Sequence, residues 1–240
     1  MWNTSQNQKI HLSQSDQSLA FKALDTLFHP QDFVWVTDDI TRACISIPLA
    51  EAKRWVGRRA SNGIFLAGNP AIAQGIARSN SAAVPRTFLI EFDKYPKGHP
   101  QEGQAIPLKE QEQIMEASGI PWTTKIFSGG KSFHYLISLM APVDVKTFSQ
   151  KFYWMSQRLQ KMNDQACGDP GRWSRFPGGF RGDLEQRVVE VRRTVGIAQL
   201  PGANGFSQEA IKNDAVLFHA WGDRPKDEDR TEIIEMLHWY

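Results

Sequence analysis

Phe88-Leu89-Ile90-Glu91-Phe92-Asp93 is the stretch on which the reading of this chain turns. Strand side chains alternate with period two, so Phe88, Ile90 and Phe92 share one face. Glu91 and Asp93 then share the other, about 7 Å apart along the strand. Two adjacent carboxylates repel and resist burial unless a cation lies between them. Carboxylate oxygens suit hard divalent ions such as Mg²⁺ or Mn²⁺. The plain alternative is a half-exposed strand with a solvated acidic face.

A second stretch gives the acids company. Residues 123–139 read as strand, glycine turn and strand, a hairpin with Gly129-Gly130 at its tip. The triplet Gly130-Lys131-Ser132 suggests a P-loop, but Lys125 stands where that motif needs its first glycine, and a strand pattern follows instead of a helix. On the second strand Ser132 and His134 point the same way, with Lys131 at the turn. Turn N–H groups, a hydroxyl, an ammonium and an imidazole together suit a phosphate. Taken alone, His134 reads equally as a core histidine.

A third stretch, 163–181, carries Asp164 and Asp169 and then Arg172, Arg175 and Arg181, with Trp173, Phe176 and Phe180 between them. Arginine makes bidentate phosphate contacts and aromatic rings stack on bases. A surface loop of solvated charges is the alternative. Arg187, Arg192 and Arg193 continue the basic series, with Glu185 and Glu190 as possible partners.

The rest of the chain bounds the answer. Its 240 residues suffice for one large domain or two intimately packed subdomains. A net charge of +2 announces no global field for nucleic acid, so any basic surface is local. Cys44 and Cys167 stand far apart, without the spacing of a zinc site or a disulfide framework, and the chain reads as cytoplasmic. No apolar run reaches membrane-spanning length. The polar opening, residues 1–18, is expected to be a flexible arm. Helices are expected over 19–28, 48–59, 71–78, 108–118 and 144–162, and strands over 33–37 and 64–67 as well as the three already named. The apolar run 233–240 reads as a sign of truncation or of a partner.

Taken together, the three stretches resemble the archaeo-eukaryotic primase superfamily, the primase–polymerases, and most closely the small primases of phages and plasmids. Those relatives carry a pattern like EFDxxP, then SGGKSxH, then DxAC leading into RxxRxPG. Here these read Glu91-Phe92-Asp93-Lys94-Tyr95-Pro96, then Ser128 to His134, then Asp164-Gln165-Ala166-Cys167 leading into Arg172-Trp173-Ser174-Arg175-Phe176-Pro177-Gly178. Each motif alone is weak, but three in order are specific. The resemblance spans about residues 27 to 182.

The resemblance implies a mixed α+β catalytic core: an N-terminal α/β unit packed on a sheet unit like an RNA-recognition motif, with the active cleft between. The core would be 19–182, and 183–240 a C-terminal extension of unassigned role. Carried over by position, Glu91, Asp93 and Asp164 would be catalytic acids holding two Mg²⁺ or Mn²⁺ ions, with Asp169 as the rival third acid. Lys131, Ser132, His134 and Arg175 would hold the nucleoside triphosphate, with His134 also catalytic. Arg172 and Arg181, and beyond the reach of the resemblance Arg187, Arg192 and Arg193 as a continuation of the basic series, are expected to contact a single-stranded DNA template. The implied activity is primer synthesis in replication, with a replicative helicase or other replication protein as a candidate partner and no membrane. Two other classes compete: a non-catalytic module binding single-stranded nucleic acid, and a metal-dependent nuclease.

Overall fold

The computed structural model describes residues 12–202. The acidic strand, β6 (Thr87–Glu91), lies at one edge of a four-stranded antiparallel sheet with β7 (Thr124–Phe127), β8 (Phe133–Ser138) and β12 (Val188–Val191), in the order β12-β7-β8-β6. Register follows from the buried pattern: Glu91 pairs with His134 and Ile90 with Tyr135, and across the hairpin His134 pairs with Ile126. Directly paired residues share a face. Glu91, His134 and Ile126 therefore lie on one side, and Ile90, Tyr135 and Lys125 on the other.

The Tyr135 side carries two helices. In α4 (Val145–Arg158), Phe148 stacks on Phe88 with ring centroids 4.1 Å apart. In α3 (Leu108–Ser118), buried Gln111 accepts from Phe133 N–H and donates to the Lys131 carbonyl. Gly119, at φ +65°, closes α3, and Asp144 caps α4 by accepting from Thr147 N–H at 2.8 Å. The expected α4 ran to Met162. It ends at Arg158 because Gln160 and Lys161 both take positive φ and turn the chain back toward the acids.

The His134 side receives a small sheet of β2 (Val36–Thr37), β5 (Phe65–Ala67) and β9 (Trp173–Arg175), in the order β2-β5-β9. The expected strand over 33–37 is divided. β1 (Phe33–Val34) pairs with β3 (Ile47–Pro48) while β2 pairs with β5, and Trp35 between them is buried with its indole N–H on the Ile76 carbonyl. A third small sheet joins β4 (Arg59–Ala60) to β10 (Gly179–Arg181) and β11 (Leu184–Gln186). Two expected helices fail. Over 48–59 only α2 (Leu49–Ala52) and one further turn form before Gly57, at φ +79°. Over 71–78 the chain makes isolated bridges, Ala71 to Phe33 and Ala77 to Ile45, because its carbonyl and N–H partners come from distant segments.

Two boundaries need correction. Helix α1 (Gln14–Leu27) starts inside the expected arm, because Ser13 accepts from Asp16 N–H at 3.2 Å and polar first-turn residues tolerate exposure. The folded unit does not stop at Gly182, since β11 and β12 lie beyond it and β12 completes the large sheet, where α1 packs across β12 and β7. The remainder of the arm, 1–11, and the run 233–240 lie outside the described residues. Among the described residues no helix is long and apolar enough to cross a membrane.

Candidate active site

The C-terminal end of β6 delivers Glu91 into a polar cluster between the large sheet and the β2-β5-β9 sheet. Ser132 Oγ donates to Glu91 Oε1 at 3.0 Å, and His134 Nε2 lies 3.2 Å from the same oxygen. That second contact is close but not aligned as a hydrogen bond, leaving the buried Nε2 without an aligned partner. His134 is oriented from its other side: Arg175 N–H donates to Nδ1 at 3.4 Å, and Ser174 Oγ lies 3.1 Å from it. An Nδ1 that accepts leaves the ring proton on Nε2, facing Glu91. Burial alone would push the Glu91 carboxyl upward, but His134, Ser132 and the charge of Arg175 outweigh it and hold the group down at about 2.

Asp164 joins from far along the chain. Its backbone N–H donates to the Glu91 carbonyl at 2.7 Å, fastening the turn 165–168 to the end of β6. Asp164 Oδ1 caps that turn through Ala166 N–H, and Arg172 reaches its Oδ2 at 3.1 Å. Glu91, Asp164 and the buried Cys167 thiol bring one donor atom each within 4.8 Å of one another. Burial raises the Cys167 thiol well above its ordinary range, and the two carboxylates add to the shift. Asp169 is not in this group.

Asp93 behaves differently from expectation. β6 ends at Glu91, and Asp93 sits beyond it, paired with Lys131 at 2.5 Å. The repulsion expected between Glu91 and Asp93 is relieved by separate partners, Ser132 and His134 for one and Lys131 for the other.

The glycine turn is closed by Ser128 N–H on the Ser132 carbonyl at 3.0 Å. Gly129 has φ +69°, and a Cβ on Gly130 would come within 2.9 Å of an Arg181 terminal nitrogen. Arg181, expected on the template, thus stands at the glycine turn. Arg175 lies over the Phe65 ring at 4.4 Å and donates to the Asn62 carbonyl. Burial first, then the nearby Arg181 charge, weakens its hold on its proton. Two guanidinium groups held near each other, with no ion pair found for Arg181 among the described residues, define a place for an anion.

The remaining arginines divide. The Arg187 carbonyl accepts from Phe127 N–H beside the turn. Arg192 pairs with Glu190 at 2.7 Å and lies 3.5 Å over Trp122, at the other end of β12. Arg193 lines a groove of about 670 Å³ with Lys22, His29 and Met140. Neither is gathered at the acids. Sequence reasoning missed Cys167 as a neighbour of the acids and Ser174 as a partner of His134. Both lie inside the quoted motif stretches, but only the tertiary crossing of β9 and the 165–168 turn brings them there.

No protein-family model matches the sequence, and no curated protein matches it. Solved structures do match the fold, and those that match are domains of a primase–polymerase and of a primase. The primase–polymerase domain of cyanophage S-2L is similar with a TM-score of 0.53 at 17% identity, over 77% of this chain and 95% of that one. The catalytic domain of primase RepB', solved in complex with initiator DNA, gives 0.50 at 12% identity, over 77% and 89%.

Proposed function

We propose that the chain is a template-directed nucleotidyltransferase of primase or primase–polymerase type, making primers on single-stranded DNA from nucleoside triphosphates. One observation carries the reading: Glu91, Ser132 and His134 converge within hydrogen-bond range, directly beside a glycine turn flanked by Lys131, Arg175 and Arg181. A carboxylate centre adjoining a cationic anion site suits a metal-bound triphosphate.

The residues fit divalent ions. Ser132 and His134 both address Glu91 Oε1, and among the described residues no hydrogen bond is found to Oε2. Glu91, Asp164 and, on turning from Lys131, Asp93 would hold Mg²⁺ or Mn²⁺, two ions in this reading. Bound there, such ions activate a 3′-hydroxyl and stabilise charge growing on the α-phosphate. Everything else is the work of the chain. Lys131, Arg175, Arg181 and the 129–130 N–H groups orient the β- and γ-phosphates so that pyrophosphate leaves in line. His134, fixed by Ser174, presents its Nε2 proton to a phosphate oxygen beside Glu91. Arg172 is freed for template phosphate when Asp164 takes an ion, and Arg187 and Arg193 extend the template path, whereas Arg192 is held by Glu190. Work in the cytoplasm with a replicative helicase or other replication protein belongs to the same reading.

A nuclease would use the acids but has little need of the cationic turn, and a non-catalytic binding module needs neither. Incubation with an unprimed single-stranded template, labelled nucleotides and Mn²⁺ separates the three. New labelled oligonucleotides support the proposal; template shortening, or binding without either product, overturns it.

A further inference from the structure

We infer that the cavity on the reverse of β8 is a second binding site, one for a planar amino-substituted heterocycle of the adenine or cytosine type. The inference stands apart from the catalytic reading, because Tyr135 faces this cavity while its chain neighbour His134 faces the acids.

The cavity has a volume of about 300 Å³ and is walled by α3, the connection 119–122 and the large sheet. That size lies at the lower end of small-ligand pockets, about 300–1,000 Å³. Tyr135 is 1% exposed and lines it, yet its hydroxyl has no hydrogen-bond partner among the described residues. A buried tyrosine hydroxyl ordinarily finds one. Burial first, and then the charges of Glu112 and Glu116, tighten its hold on its proton, so at neutral pH the group is an O–H donor. An occupant therefore has to present an acceptor to it.

The other lining groups define the rest of that occupant. Lys125 takes Glu112, and Glu190 takes Arg192. Glu116, exposed at the mouth, has no ion pair among the described residues, although its charge is felt at the Tyr135 hydroxyl. A lone carboxylate accepts hydrogen bonds and repels anions, so the group beside the acceptor is an N–H donor and a phosphate is unwelcome. Met115, Ile120 and Trp122 are buried and supply apolar walls that suit a flat ring. Trp122 is already fixed, edge-on to Tyr135 with centroids 5.7 Å apart and 3.5 Å beneath the Arg192 guanidinium. Adenine and cytosine each carry a ring-nitrogen acceptor next to an exocyclic amino donor, and so satisfy Tyr135 and Glu116 together.

Adenosine and cytidine, both free of phosphate, are titrated calorimetrically into the full chain in metal-free buffer. Saturable binding of at least one is expected. Tyr135→Phe removes only the unpartnered hydroxyl, so it should melt no lower than the parent while binding that nucleoside at least about tenfold more weakly. The same contact is then cut from the ligand side with 1-deazaadenosine or 3-deazacytidine, each lacking the ring acceptor. The analogue should bind the parent about as weakly as the nucleoside binds Tyr135→Phe, and the two losses should not add. Failure of both nucleosides to bind the parent overturns the inference. So does parental affinity in Tyr135→Phe, the result expected of a nucleoside held at the acids instead. Additive losses would also overturn it, as would a fall in the melting temperature of Tyr135→Phe, since the hydroxyl would then be satisfied already. No readout depends on primer synthesis.

Discussion

The backbone N–H of Asp164 donates to the carbonyl of Glu91 at 2.7 Å, so the two acids are joined through the main chain although they stand in different motifs. A side-chain change at either acid therefore leaves this tie intact. Chemistry and fold can be separated by mutation.

Glu91 and Asp93 should differ in stability. Removing the Glu91 side chain by substitution with Ala strips a partner from Ser132 and His134, each 3% exposed, and should lower stability by about 1–3 kcal/mol. Asp93→Ala removes only a partly exposed pair with Lys131, with side-chain exposures of 41% and 54%, and should change stability by less than about 1 kcal/mol. Denaturant midpoints of the metal-free variants check the order; equal losses would contradict it.

Acid titration tests the same carboxylate. Glu91 is held at about 2, below its ordinary 4.5, so between those values the unfolded chain binds more protons than the folded one. Its stabilising contribution is complete above pH 4.5 and is lost as pH falls through about 2. Glu91→Gln should therefore show a shallower loss of stability than the parent across that window. Parallel acid curves would place the Glu91 carboxylate in a weaker field than its partners imply.

The glycine turn offers a paired test. A Cβ on Gly130 crowds the far end of Arg181, at 2.9 Å, and meets Ser128 Oγ at an ordinary 3.7 Å, so Gly130→Ala should shift that guanidinium and raise the nucleotide requirement with little effect on stability. Gly129 has φ +69° and a backbone oxygen, that of Leu184, 3.2 Å from its added Cβ, so Gly129→Ala should lose about 1 kcal/mol or more. Nucleotide affinity and melting, measured together on both variants, decide it.

For the arginines, salt dependence distinguishes roles. Arg187 and Arg193 have no ion pair among the described residues, whereas Arg192 is neutralised by Glu190. Replacing Arg187 and Arg193 by Ala should flatten the log–log salt slope of single-strand binding by about 1.4, at roughly 0.7 per phosphate contact. Arg192→Ala should leave the slope unchanged. A slope unaltered in the double variant would remove both residues from the template path.

The legible part of this fold was carried by local physics. Period-two alternation marked β6, Gly129-Gly130 marked the hairpin, and α3 formed over its expected range, 108–118. Their order supported the resemblance from which the cleft was expected. What stayed hidden depends on crossings that no local pattern encodes. Ser174 reaches His134 only because β9 joins β5, and Arg181 reaches the glycine turn only because β10 and β11 fold back beside it. Strands of two residues, such as β1 and β2, are too short to show a period, and the expected strand ran on to Asp93 whereas β6 ends at Glu91.

The central claim is that Glu91 and Asp164 are the working acids of a nucleotidyltransferase. Unprimed synthesis on a single-stranded template with labelled nucleotides and Mn²⁺, run on parent, Glu91→Gln and Asp164→Asn at matched folded fractions, tests it most directly. The account predicts primers from the parent and a loss of roughly 10²–10³-fold or more in each variant. Synthesis by either variant at the parental rate would contradict it.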